Sequence, residues 1–214
     1  MSSYYFNDKK SGLLLKNDIV VGLKNQSRAR EHALCDKFTG QMVPLVSGLF
    51  ALSIRDCLFH IPGVSLATFQ GDLTVVVMSF KVNNIPKSKK VLLGTKCLER
   101  AIVLAKHKLQ ILGGTEIISL DYEVNEFNYL FVCYDQNGGG LIQLNERIVP
   151  FQTKEYKGPM LSSTYLFGRP GLRSTYFDGE LATLDIFNKN NTGRETFPPL
   201  LREALLRNHI NRVL

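Results

Sequence analysis

Short apolar segments rich in β-branched and aromatic residues recur along the chain, and many of them end at glycine, asparagine or proline. Such segments predict β-strands, because branched and aromatic side chains pack well on a pleated sheet. Glycine and asparagine between them accommodate tight turns. The segments do not alternate regularly with helical patterns, so a parallel sheet with crossover helices is not expected. The sequence therefore predicts mainly antiparallel β-structure.

Turn residues group these strands into hairpins. Three consecutive segments are typical of a three-strand meander, namely 116–124, 127–135 and 141–149. A hairpin is also predicted over 12–23, and another over 172–187, where Asp178-Gly179 favours a type I′ turn. We expect the hairpins to pack as a sandwich or a barrel.

One segment departs from this strand pattern. Apolar residues follow Leu98 at helical spacing as far as Leu112, and Gly113-Gly114 supplies a stop. This spacing predicts a central amphipathic helix over about 95–112, with Thr95 as its N-cap. The predicted fold class is therefore α+β, mainly antiparallel β with one central helix and a C-terminal helix.

The C-terminal helix is predicted over 197–212, because prolines at its start suit a first helical turn. Its apolar residues change sides along its length, which favours docking on protein, the chain's own or a neighbour's. The residues assigned to that contact are Leu206, Ile210, Val213 and Leu214. We expect a single domain over 1–214, with only a weak subdivision near 151–170.

Charge is segregated along the sequence. The chain carries a formal net charge of +7, and residues 87–108 hold seven Lys or Arg against one acid, a net of +6. Residues 116–135 hold five acids and no Lys or Arg. A basic balance favours anionic partners or solubility and says nothing about fold.

Three interpretations of this segregation stay open. In the first, the acidic segment meets the basic segment of a neighbouring subunit, through Glu116, Asp121, Glu123 and Glu126. In the second, 87–108 binds nucleic acid or an anionic membrane surface. The residues assigned to that anion site are Lys87, Lys89, Lys90, Thr95, Lys96 and Arg100. In the third, both segments are solvated polar faces.

Catalytic and cofactor motifs are absent from the sequence. There is no phosphate-binding loop, no H-E-x-x-H pair and no G-x-S-x-G elbow, so no cofactor and no metal are expected. Cys97 is the one thiol placed beside a lysine at a predicted helix start. Four histidines stand isolated in the sequence, at His32, His60, His107 and His209. An enzyme would need such groups to be brought together by folding.

The cysteines form no C-x-x-C pair, and the N-terminal segment lacks the long apolar region of a secretory signal. We therefore expect reduced thiols in a cytoplasmic protein, or in a virion. The longest apolar stretch, 42–54, is too short to span a bilayer as a helix.

The leading hypothesis is a non-enzymatic structural or assembly protein, such as a virus or phage particle component, whose partners are itself or other protein subunits. An accessory protein that binds nucleic acid or an anionic membrane is the first alternative, and an unrecognised enzyme is the second.

Overall fold

The computed structural model describes residues 2–5, 12–16, 19–24, 32–35, 38, 40–45, 48–62, 73–95, 101–113, 115–135, 139–152, 163–188, 202 and 205. Their strands, in chain order, are β1 (Ser2–Tyr5), β2 (Leu13–Lys16), β3 (Ile19–Leu23), β4 (Ala33–Leu34), β5 (Met42–Pro44), β6 (Phe50–Ile54), β7 (Phe59–Pro62), β8 (Leu73–Val82), β9 (Lys90–Gly94), β10 (Ala101–Ala105), β11 (Lys108–Gly113), β12 (Thr115–Asp121), β13 (Phe127–Asp135), β14 (Gly139–Leu144), β15 (Arg147–Gln152), β16 (Ser163–Leu166) and β17 (Gly179–Asn188). A 3₁₀ turn forms at Arg173–Thr175.

The strands form two antiparallel sheets. The eight-stranded sheet has the order β15-β14-β13-β8-β17-β6-β5, and β1 also pairs with β17. The nine-stranded sheet has the order β12-β11-β10-β9-β16-β7-β4-β3-β2. The predicted antiparallel β-structure is therefore confirmed, and the pairing of β2 with β3 confirms the hairpin predicted over 12–23.

The two sheets share one apolar core. Alternate residues of β8, Val76, Met78 and Phe80, enter it from the eight-stranded sheet. Phe59 enters from β7 of the other sheet, and its ring meets Phe167 edge to face at 5.9 Å between centroids. Because side chains alternate along a strand, a shared core of this kind defines a two-layer sandwich.

A smaller apolar cluster lies on the outer face of the eight-stranded sheet. It contains Val75, Val77 and Phe187, and Tyr129 and Phe131 pack against it. The C-terminal segment reaches this cluster, since Leu205 also packs there. These aromatic residues therefore pack within the chain.

The predicted α+β fold class is wrong, and the central helix 95–112 is its main error. Residues 101–105 and 108–113 are the strands β10 and β11, joined by a turn at Lys106 and His107. Lys106 has a φ of 53°, which a tight hairpin turn requires. β10 is apolar at successive positions because Ile102 faces the shared core while its neighbour Val103 lies in a cluster on the outer face. A strand buried on both faces has apolar residues at successive positions. Some residues of such a run are three or four positions apart, so they also fit the spacing of a helix.

The C-terminal helix 197–212 lies outside the described residues except for Arg202 and Leu205. These two residues have helical backbone, but the described part of the chain contains no α-helical element.

The predicted meander is also wrong in its first step. β12 is an edge strand of the nine-stranded sheet, whereas β13 lies in the eight-stranded sheet, so residues 122–126 connect two layers. The third predicted strand, 141–149, is divided into β14 and β15 by a turn at Asn145 and Glu146. The hairpin predicted over 172–187 does not form either, because the residues before β17 contain the 3₁₀ turn.

Connections from both sheets meet at one end of the sandwich. Lys108 pairs with Asp121 at the β11–β12 end, and Gly179 pairs with Val82 where β8 ends. The amide of Asn125 donates to the carbonyl of Val82 at 2.9 Å and joins the two layers there. We call this end the loop end; its connections are 55–58, 83–89, 106–107, 122–126, 145–146 and 167–178.

Candidate binding surface

An open cleft of about 640 Å³ lies at the loop end. Its charged and polar lining comes from four carboxylates, two cations and two asparagines, with Phe127 and Leu144 as the apolar members. We call this the acidic cleft; its charged and polar residues are Lys81, Asp121, Glu123, Asn125, Glu126, Asn145, Glu146 and Arg147. The cleft brings together three of the four acids predicted to form a protein interface.

A buried asparagine holds the cleft wall in place. Asn128 is fully buried, and its side-chain amide donates to the carbonyls of Glu123 at 2.7 Å and Glu126 at 3.1 Å. Its Oδ1 accepts from the backbone amide of Glu123 at 2.8 Å and from Nδ2 of Asn145 at 3.1 Å. The connection 122–126 is thus fixed to β13 and to the β14–β15 turn by side-chain hydrogen bonds.

Two short turns, at Asn125 and Asn145, position glutamates that line the cleft. Asn125 and Asn145 have φ values of 66° and 55°, in the left-handed region that asparagine tolerates better than most residues. Each is followed by a glutamate that lines the cleft, Glu126 and Glu146. The same Asn-Glu dipeptide therefore places a carboxylate at two corners of the cleft.

One acid of the cleft is neutralised within the chain. Asp121 Oδ1 lies 2.7 Å from Nζ of Lys108 on the adjacent strand. The hydrogen bond from Lys108 lowers the pKa of Asp121 below its usual value, and the charge of Lys108 adds to the shift. The basic segment 87–108 and the acidic segment 116–135 therefore meet within the molecule, through this ion pair and through hydrogen bonds from Tyr122 to the carbonyls of Lys106 and His107. No ion pair to Glu123 or Glu126 is found among the residues that the structure describes.

Lys81 forms the cationic base of the cleft. Its Nζ lies 3.2 Å from Oε1 of Glu180 across the β8–β17 pair and 6.0 Å from the centre of the Phe127 ring. Glu180 is almost buried, so this pair is more sheltered from water than the one between Lys108 and Asp121.

Of the residues assigned to an anion site, those that the structure describes lie at the two ends of β9. Lys87 and Lys89 are exposed in the connection 83–89, and Lys90 begins β9. Thr95 lies beyond the other end of β9, roughly 16 Å away at the usual rise per strand residue. Thr95 is buried, and its Oγ1 meets no hydrogen-bond partner within the described ranges. Since β10 and β11 replace the helix, the helix N-terminus proposed for this site has no support; Lys96 and Arg100 lie outside the described residues.

Of the remaining residues assigned to a protein interface, only Glu116 lies in the described part of the chain. Glu116 lies on β12, where it pairs with Leu112. Leu206, Ile210, Val213 and Leu214 lie outside the described residues, so their contact stays a prediction.

The histidines considered for catalysis that the structure describes lie on different elements, and His32 directly precedes β4. His60 stacks on Tyr165 at 5.1 Å on the nine-stranded sheet, and His107 is exposed in the β10–β11 turn. His209 and Cys97 lie outside the described residues. Within the described ranges no group of three or more His, Cys, Asp or Glu side chains is placed to hold a metal ion. In the same ranges, no helix is long and apolar enough to cross a membrane.

The sequence analysis did not identify the cleft residues Lys81, Asn145 and Arg147, or Asn128, which supports the cleft wall. The repeated Asn-Glu dipeptide at 125–126 and 145–146 was the available signal, because asparagine favours turns. The position of Lys81 depends on long-range strand pairing, which no local pattern reveals.

No protein-family model matches the chain, and no curated protein matches its sequence. Solved structures do resemble its fold. The binding domain of botulinum neurotoxin DC in complex with rat synaptotagmin II superposes with a TM-score of 0.58 at 13% identity, over 82% of this chain and 47% of that one. A structure of botulinum neurotoxin type C, a toxin that depends on two ganglioside molecules to enter cells, has a TM-score of 0.56 at 13% identity, over 95% and 51%.

An enzyme shares the architecture too. A mutant Trypanosoma rangeli sialidase that displays trans-sialidase activity gives a TM-score of 0.56 at 12% identity, over 78% of this chain and 30% of that one. The chain thus spans about half the length of the neurotoxin domains and less of the sialidase. At such low identity the likeness is one of fold alone.

Proposed function

We propose that the chain is a non-enzymatic binding domain whose acidic cleft receives a Lys- or Arg-bearing segment of a protein partner. The cleft is the observation that carries this proposal. Its four carboxylates face two cations, and two of the carboxylates, Glu123 and Glu126, are exposed without an ion pair among the described residues. Carboxylates accept charge-assisted hydrogen bonds from ammonium and guanidinium groups, so a basic segment complements this lining.

The rigidity of the cleft wall supports recognition. Because Asn128 and Asn145 tie the wall to β13, the wall does not need to be ordered when a partner binds. A preorganised site loses less conformational entropy on binding, which strengthens the affinity of a polar contact.

The electrostatics of Asp121 suit a binding role better than an acid–base role for this residue. A general acid or base works best with a pKa near the operating pH. The pKa of Asp121 is lowered by its bond to Lys108, which keeps this carboxylate charged and weakly basic. Similar folds occur in binding domains that engage synaptotagmin II and in a sialidase, so fold alone does not decide between these classes.

Self-association is one form of this function. The chain carries two exposed lysines at the same loop end, Lys87 and Lys89, which offer a cationic segment to the cleft of a second copy. Since cleft and lysines share one end, such a contact would be reciprocal about a two-fold axis rather than head-to-tail. Assembly into a larger particle stays a prediction.

A charge-neutralisation experiment tests the cleft. The probe is a soluble peptide of alternating lysine and glycine, and its binding is measured by calorimetry at low salt. Glu123→Gln/Glu126→Gln removes two exposed carboxylates, and we expect about a tenfold weaker affinity. Asp56→Asn/Asp178→Asn removes the same charge outside the cleft and should leave most of the affinity.

Equal losses in both double variants, or no binding by the wild type at low salt, would refute a specific cleft. Sedimentation velocity on the same proteins identifies the source of the cation. A dimer that is lost only in Glu123→Gln/Glu126→Gln would assign the basic segment to a second copy.

A further inference from the structure

A second surface of the loop end has the opposite character. The connection 83–89 and the segment 167–175 touch each other, because Ser88 Oγ and Lys90 Nζ both donate to the carbonyl of Ser174, at 2.8 and 2.9 Å. The segment is itself held by Thr175, whose Oγ1 donates to the carbonyl of Leu172 at 2.6 Å and accepts from the amide of Arg169 at 3.0 Å. Two separate parts of the chain thus form one supported surface.

This surface exposes aliphatic side chains. Ile85 is 47% exposed and Leu172 is 43% exposed, one on each of the two touching parts. A single exposed aliphatic residue is ordinary on a protein surface. Two exposed aliphatic residues on adjoining loops indicate a contact surface rather than scattered exposure.

The two touching parts of the chain are also rich in cations. The residues 83–90 and 167–177 contain Lys and Arg and no Asp or Glu. Lys87, Lys89 and Arg173 are exposed, and Lys90 and Arg169 are half-buried. The next residue after 177, Asp178, is an acid that lines a small cleft together with Ile85, Lys87 and Lys90. Its Oδ1 lies 3.9 Å from Nε of Arg55, which offsets its charge. We call this surface the basic ridge; it consists of Ile85, Lys87, Lys89, Lys90, Arg169, Leu172 and Arg173.

We propose that the basic ridge docks on an anionic lipid bilayer. Lys and Arg near such a surface are attracted by its negative potential, and aliphatic side chains among them enter the boundary of headgroups and acyl chains. A nucleic acid would use the cations but offers no place for Ile85 and Leu172. Since both side chains are aliphatic, they also provide no stacking platform for bases.

Vesicle co-sedimentation tests this proposal. The probe is a vesicle of equal parts phosphatidylcholine and phosphatidylserine, with phosphatidylcholine vesicles as the uncharged comparison. The wild type should bind only the anionic vesicles, and less at higher salt. Lys87→Glu/Lys89→Glu should weaken binding by about 25-fold or more, because each lysine near the surface contributes about fivefold.

The aliphatic residues decide between a bilayer and another polyanion. Ile85→Ser/Leu172→Ser should weaken vesicle binding by about tenfold and leave binding of polyglutamate or single-stranded DNA unchanged. Two controls match these variants. Leu34→Ser changes an equally exposed leucine on β4. Lys16→Glu/Lys24→Glu makes the same charge change outside the ridge. Thermal unfolding monitors the folding of each variant.

Three results would overturn the proposal. One is no binding of the folded wild type to anionic vesicles at low salt. Another is vesicle binding that Ile85→Ser/Leu172→Ser leaves intact, which would assign the ridge to an acidic protein or a nucleic acid. The third is an equal loss of vesicle binding in Lys16→Glu/Lys24→Glu, which would show that binding depends on the net charge of the protein and not on the ridge.

Discussion

The acidic cleft and the basic ridge both lie at the loop end, on either side of the residue where β8 ends, Val82. The cleft surrounds Lys81 with carboxylates and rests on a buried asparagine. The ridge begins just after Val82, contains no acid and exposes two aliphatic side chains. Neighbouring surfaces of one sandwich thus differ in charge, in hydrogen bonding and in exposed apolar area.

This difference arises at the ends of the strands and in the connections between them, where both regions lie. Both regions adjoin the end of β8, and the register of β8 against β13 and β17 positions the cleft. Short turns with left-handed asparagines produce the cleft, whereas a lysine-rich connection produces the ridge. Substitutions that affect one region should therefore leave the other working.

The largest expected effect is at Asn128. Asn128→Ala removes the bonds to Glu123, Glu126 and Asn145 and leaves buried polar groups without partners, so we expect a loss of about 2–4 kcal/mol in the free energy of unfolding. Urea denaturation measures it, and Asn84→Ala, an exposed asparagine before the ridge, is the control with a change within about 0.5 kcal/mol. Cleft binding should weaken while ridge binding persists. A stable Asn128→Ala protein with full cleft affinity would contradict the assigned role.

The next effect is at Lys81. Lys81→Met removes the partner of the nearly buried Glu180 and the cation beside Phe127. Because the almost buried Glu180 carboxylate loses its ion-pair partner and has little access to water, we expect a loss of about 1–3 kcal/mol in stability by thermal or urea unfolding. Lys89→Met, at an exposed ridge position, should change stability by less than about 0.5 kcal/mol. Equal effects at the two lysines would show that the pair under the cleft is not stabilising.

Tyr122 gives a smaller effect at alkaline pH. Burial raises its pKa to about 12, and its hydroxyl donates to the carbonyl of Lys106. Because the folded pKa lies above the ordinary value of 10.0, the stabilisation is complete below pH 10 and is lost as the pH rises through 12. Spectrophotometric titration should show a phenolate step near pH 12 that Tyr122→Phe lacks. If the wild-type titration lacked this step, the pKa of Tyr122 would not be raised and its hydroxyl would be exposed to water.

Asp121 gives the smallest effect, since it is exposed. Its pKa is lowered from 3.8 by Lys108, so the stabilisation is present above pH 3.8 and is lost as the pH falls through the lowered folded value. NMR titration of the carboxyl group should show this low pKa in the wild type and an increase in Lys108→Met. Salt should reduce the difference, because exposed charges are screened. An unchanged pKa in Lys108→Met would mean that the pair does not persist in solution.

The sequence predicted the antiparallel strands better than their partners. The hairpin over 12–23 needed only local information, namely two apolar segments around a polar turn. The segment 101–112 was assigned to a helix because its apolar residues fit helical spacing, although residues such as Val103 and Ile111 outside that spacing are buried too. Strands buried on both faces lose the alternation that distinguishes them from helices.

The site was predicted in part for a related reason. Clusters of like charge are visible in a sequence, so Asp121, Glu123 and Glu126 were found together. Lys81 and Arg147 come from other strands, and only the sheet register brings them to the same cleft, whose wall the buried Asn128 supports. The pairing of Lys108 with Asp121 crosses a hairpin that the predicted helix excluded.

The central claim is that the two regions bind oppositely charged partners independently. The most direct measurement is binding of the lysine–glycine peptide and of phosphatidylserine vesicles by the same two variants, Glu123→Gln/Glu126→Gln and Lys87→Glu/Lys89→Glu. We predict a double dissociation, in which the first variant loses only the peptide and the second loses only the vesicles. If each variant lost both ligands or neither, the loop end would not contain two separate binding surfaces.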